Sequence, residues 1–73
     1  MKVEHDKKAD AVYIYLSDKD YSYGENLDSE RRIDYAEDGT PVGIELLCVS
    51  EGVITDDLPN RAEVERFLGD KWN

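Results

Sequence analysis

His5, Asp6, Asp10 and Asp34, at the expected strand ends, are of types that could hold a small ligand or a divalent cation. Paired carboxylates also do acid–base work when one pKa is raised above the other. The same aspartates have a plainer role. Asp6 and Asp10 flank the polar break Lys7-Lys8-Ala9, and Asp34 and Asp38 lie in a second hairpin. Turn aspartates bond nearby backbone N–H groups and need no ligand to explain them. His5 is the sole histidine and Cys48 the sole cysteine. A zinc site on these two lacks any C-x₂-C or H-x₃-H spacing. A Cys–His nucleophilic pair needs both groups adjacent and a third to orient them, and no spacing here provides that. The simpler expectation is that His5 pairs across a first hairpin and that Cys48 is a small buried residue at a strand end. Asp18-x-Asp20-x-Ser22 opens like an EF-hand calcium loop. Tyr23 and Ser29 then stand where that loop needs Gly and Glu. No catalytic residue, metal site or cofactor is assigned.

The tyrosines are the second group with chemistry to offer. There are five in 73 residues. Alternation in Ala11–Leu16 puts Tyr13 and Tyr15 on one sheet face and Val12, Ile14 and Leu16 on the other. Tyrosines on a face that no helix covers make good interface, with large area at low entropic cost. Tyr13 and Tyr15 are therefore interface candidates. Trp72 is a third, able to fold back or reach a neighbour.

Charge narrows the partners. Nine basic residues against eighteen acidic ones give a net charge of −9. That argues against nucleic-acid binding through phosphates, which needs a basic face, and equally against docking on an anionic membrane. It favours a basic protein partner. One domain of this size buries only about 60–65% of its unfolded surface, so a homodimer is an ordinary way to add core. No run approaches the roughly 20 apolar residues of a membrane span. No apolar segment follows the N-terminal M-K-V-E-H-D. One cysteine allows no intrachain disulfide. All three points suit a reducing cytoplasm.

The elements that must position these groups are legible. Lys2–Asp6 and Ala11–Leu16 read as a first hairpin. Segment 17–29 admits a short irregular strand. Arg32–Leu47 reads as a second hairpin around Asp38-Gly39, a type I′ signal. Pairing Glu37 with Thr40 sets Tyr35 opposite Val42, Ile33 opposite Ile44, and Arg32 opposite Glu45 as an ion pair. Pro41 then faces Ala36 and suggests an edge strand there, at least at its start. Asn60 and Glu63 form a capping-box pattern. Val64, Phe67 and Leu68 make a helical stripe, and Gly69 is a natural stop. The fold class is α+β: one antiparallel sheet of four to five strands, two hairpins in a meander, with a C-terminal helix on one face. All of residues 1–73 form one domain, with sheet over about 1–48, connection 49–59 and helix about 60–69.

Two blocks carry a resemblance. Asp6, Ala9, Asp10, Ala11, Tyr13 and Ile14 fit a D-x-x-A-D-A-x-Y-I-x-L strand. Asp34, Tyr35, Asp38, Gly39, Val42, Gly43, Ile44 and Glu45 fit a D-Y-x-x-D-G-x-x-V-G-I-E-I hairpin. Together, over about residues 1–50, they resemble the small prokaryotic family catalogued as domain of unknown function 2283. The helical tail is outside the resemblance. The chain departs from the pattern at Ser29-Glu30-Arg31-Arg32, where the family has an acidic-Gly turn and aliphatic residues. This suggests a local basic spot. The resemblance implies a compact antiparallel sheet with helical cover and no established catalytic residues. Some relatives are encoded beside ribonuclease-like toxins, which implies an antitoxin-like, protein-binding role. The leading expectation is a non-enzymatic interaction module for a basic partner. A ligand- or metal-binding protein is the alternative, and a small hydrolase the third.

Overall fold

The computed structural model describes residues 2–72, with side chains over residues 2–68. Lys2–Asp6 (β1) and Ala11–Tyr15 (β2) form the first hairpin, with Lys2 opposite Tyr15 and Asp6 opposite Ala11. Tyr23–Asn26 (β3), Arg31–Tyr35 (β4) and Pro41–Leu47 (β5) follow, then a 3₁₀ turn at Val49–Glu51 and a helix at Arg61–Trp72 (α1). The expected α+β class is the one observed: one five-stranded antiparallel sheet and one C-terminal helix.

The strand order is β1-β2-β5-β4-β3. The meander holds within each hairpin, and the seam between them is β2 against β5, with Ile14 opposite Ile44. β5 is thus the central strand over Gly43–Leu47, and only its start at Pro41 has the edge character expected there. The proline is tolerated because it is the first residue of its strand. β2 has already ended there, its last residue Tyr15 lying opposite Gly43.

The second hairpin keeps the predicted pairs Ile33–Ile44 and Arg32–Glu45. Its turn is different. The Gly39 N–H donates to the Ala36 carbonyl (3.0 Å) and the Ala36 N–H to that of Thr40 (2.9 Å). Gly39 alone is left-handed (φ 87°), while Asp38 is not. A three-residue loop closing on a left-handed glycine replaces the two-residue type I′ turn. Asp38 favours it by accepting the Thr40 N–H (3.0 Å). The extra loop residue shifts the pairing, and a bulge absorbs it. Tyr35 therefore lies opposite Pro41, not Val42.

One face of the sheet is the core. Val12, Ile14, Ile44 and Leu46 pack under Val64 and Leu68 of α1, closed by Val49 and Leu58. Each such side chain contributes about 1.5–3 kcal/mol by burial. Phe67 packs at the margin. The helix runs through Gly69 to Trp72, beyond the predicted stop. Burial of Val64 and Leu68 outweighs the ~1 kcal/mol that an interior glycine costs. Asn60 is left-handed (φ 52°), unlike the extended residue of a capping box, although its carbonyl accepts the first helical bond from Val64 (3.0 Å).

Candidate functional site

No polar or charged side chain is buried among the described residues. Chemistry therefore belongs to the surface. Two parts of that surface are organised: the sheet face opposite α1, and a cleft at one end of the sheet.

Strand alternation sends Tyr13 and Tyr15 away from the helix, because Val12 and Ile14 must face it. The two rings meet edge to face, 4.8 Å between centroids. Tyr13 lies across Gly43 of β5, where any Cβ would collide with its ring and hydroxyl. From there its hydroxyl donates to Asp34 Oδ2 on β4 (2.7 Å). Arg32 Nε donates to the other Asp34 oxygen (3.1 Å), and its Nη2 donates to the Tyr21 hydroxyl (3.2 Å). Arg32 in turn lies across Gly24 of β3. Two glycines thus form troughs that let long side chains lie flat, and one polar chain crosses β2, β5, β4 and β3. Burial and the Asp34 carboxylate both push the Tyr13 hydroxyl well above the ordinary phenol pKa, which keeps it a donor. Tyr15 donates to Glu4 (3.1 Å), and that bond raises its pKa as well.

This geometry corrects the expected Arg32–Glu45 ion pair. The two residues are opposite in register, but the Gly24 trough draws Arg32 toward β3 and Asp34. Glu45 is left without a salt bridge among the described residues. The expected basic spot also disappears. Arg32 is paired with Asp34, and Arg31 Nε with Asp28 (2.8 Å). Arg31 Nη1 further donates to the carbonyls of Ile54 (2.9 Å) and Asp56 (2.6 Å), fastening the connection before α1 to the sheet.

The four ligand candidates do not converge. Asp6 Oδ1 accepts the N–H groups of Lys8 (3.0 Å) and Ala9 (3.1 Å) in its turn. Asp10 is left-handed (φ 54°) and accepts both the N–H (3.0 Å) and the hydroxyl (2.6 Å) of Ser50. Asp34 serves Tyr13 and Arg32 on the open face. His5 pairs with Val12 on the helix side of β1. The Trp72 side chain lies outside the described residues.

The cleft was not foreseen. It measures about 410 Å³ and lies between the β3–β4 turn, the end of β5 and residues 51–54, with Glu30, Arg31, Leu47, Glu51 and Ile54 among its walls. Cys48 borders it and is half-buried with φ 54°, not the buried strand-end residue expected. Its thiol lies within 4.8 Å of the Glu30 carboxylate. That carboxylate first, with burial and the nearby charges of Glu51 and Asp10, pushes its pKa up, the opposite of an activated nucleophile. Ligand atoms of Glu30, Cys48 and Glu51 lie within 4.8 Å of one another, the set among the described residues that could meet on a cation. Sequence spacing hides this cluster, because the β4–β5 register is what joins residue 30 to residue 48.

The model of one family, described as protein of unknown function (DUF2283), matches residues 2–50, two thirds of the chain. The chain belongs to that family. No curated protein and no solved structure matches it. The DUF2283 match spans all five strands and the Tyr13–Asp34 bond, whereas α1 lies outside it. Among the described residues of this DUF2283 member, no helix is long and apolar enough to cross a membrane.

Proposed function

We propose that this DUF2283 member is a non-enzymatic protein-binding module that docks a basic partner on the open face of its sheet, in an antitoxin-like role. One observation carries the reading. Tyr13 and Tyr15 stand together on the face that α1 leaves bare, pre-set by bonds to Asp34 and Glu4. Rigid, half-exposed aromatic rings are the groups that anchor interfaces. The charge around them selects the partner. Lys2 and Arg32, cations on this face, are already paired with Glu4 and Asp34, which leaves Glu45 and the net charge of −9 to attract a basic surface.

The test is affinity capture at low ionic strength, followed by reconstitution of the captured protein with the purified chain. One stoichiometric basic partner is expected, binding more weakly as salt rises. Its affinity should fall about tenfold with Tyr15→Ser, the loss of one moderate anchor. A partner bound equally well by Tyr15→Ser refutes the reading. So does a chain that stays monomeric and binds no basic protein when co-expressed with its genomic neighbour. A homodimer through this face would replace the proposed partner with a second copy.

A further inference from the structure

We propose that the cleft at the Leu47 end of the sheet receives a basic side chain of a protein partner, an arginine or a lysine. This rests on the reading of the chain as a protein-binding module and names the second contact of that interface. The cleft's size, about 410 Å³, is near the small end of ligand pockets, which run from about 300 to 1,000 Å³. It holds one long side chain with its flanking backbone.

The walls are of two kinds. Leu47, Val53 and Ile54 supply apolar surface, and Leu47 (38%) and Ile54 (61%) are among the most exposed large hydrophobic residues of the chain. Asp28, Glu30 and Glu51 supply carboxylates. Arg31 is the cation among these walls, and its charge is already committed to Asp28 and to two carbonyls. Glu30 and Glu51 have no salt bridge among the described residues, and their ligand oxygens lie within 4.8 Å of one another. A site lined by both apolar side chains and carboxylates matches an alkyl stem ending in a cation. A bare metal ion would use the carboxylates but has no use for Leu47, Val53 and Ile54.

Position ties the cleft to the tyrosine face. Ala11 pairs with Leu47 and Tyr13 with Glu45. Leu47 therefore stands on the same sheet face as Glu45 and Tyr13, two residues along, or roughly 7 Å. Leu47 is thus the wall residue that the cleft shares with the tyrosine face.

The probe is n-butylguanidinium, titrated into the full chain and followed by amide chemical shifts. Saturable shifts at Leu47, Gly52, Val53 and Ile54 are expected, with a dissociation constant around 1 mM. Guanidinium alone and n-butanol should not saturate in that range. The double variant Glu30→Gln/Glu51→Gln changes exposed residues only and should bind about fivefold more weakly. No saturation, shifts confined to the tyrosine face, or unchanged affinity in the double variant would overturn the proposal. So would zinc saturating the same amides without competition from the probe. The partner assay separates the two ideas. If Tyr15→Ser weakens the partner and Glu30→Gln/Glu51→Gln does not, the docking face stands and the cleft falls.

Discussion

Replacing Gly43 with alanine is the sharpest perturbation of the open face. A Cβ at this position collides with the Tyr13 ring and hydroxyl. The strand backbone cannot yield, since Gly43 is held between Tyr15 of β2 and Asp34 of β4. Tyr13 must swing out instead. Its bond to the Asp34 carboxylate (2.7 Å) is then lost, and a hydrogen bond to a charged group is worth about 1.5–3 kcal/mol. Asp34 keeps Arg32 as a partner and is not fully buried, so the net cost should be about 1–2 kcal/mol. That corresponds to a fall in Tm of about 5–15 °C for a domain of this size. The decisive assay is a double-mutant cycle with Tyr13→Ala, read by urea unfolding. Without the ring, the alanine meets no obstacle, and its lower backbone entropy stabilises by roughly 0.5 kcal/mol relative to glycine. The sign of Gly43→Ala should therefore reverse between the two backgrounds. Equal destabilisation in both would refute the trough argument.

Arg31→Ala should destabilise by about 2 kcal/mol, since three bonds from a largely buried guanidinium are lost. Amide exchange should rise chiefly across residues 52–60, and uniform exchange across the sheet would contradict a local fastening. At low pH, the Asp38 carboxyl is held well below its usual value by Lys19 first and by Thr40 second. A lowered folded pKa gives stability that is present above the unfolded value, about 3.9, and lost as pH falls below it. Asp38→Asn should flatten that part of the acid limb of the Tm–pH curve, and an unchanged limb would count against the assignment. At high pH the sign is opposite. Tyr13 has a raised pKa, from burial first and Asp34 second, so its contribution is complete below about pH 10 and lost above. Tyr13→Phe should lower Tm at neutral pH and make its fall above pH 10 shallower, measured by circular dichroism.

Alternation and turn chemistry made much of the sheet legible in advance. Ile33–Ile44 and Arg32–Glu45 pair as the apolar pattern demands, because a one-residue slip would expose one apolar set. Pattern alone could not fix the Asp38-Gly39 turn. There, the side-chain bond of Asp38 to Thr40 favours one loop over another of similar cost. Nor could it foresee that Arg32 would turn toward Asp34, since that depends on a missing Cβ at Gly24, a residue on a different strand. The Tyr13/Tyr15 face followed from a period of two. The cleft did not, because it joins residues 28–31, 46–47 and 51–54 through strand order, which no local signal encodes.

The place of β5 has a consequence for how the chain becomes a protein. It is the fifth strand in sequence and the third in space. A ribosome that has made the chain only as far as Asp38 has produced two separate edges with nothing between them. Val12 and Ile14 then have no Ile44 or Leu46 to meet, and the seam edge of β2 stays open to any other strand. Assembly is therefore less like adding planks in order than like setting a keystone. The two flanks gain a common hydrophobic face in the single step that inserts Pro41–Leu47, and the contacts formed there are distant in sequence. Until that step, the nascent chain is at its most exposed to aggregation.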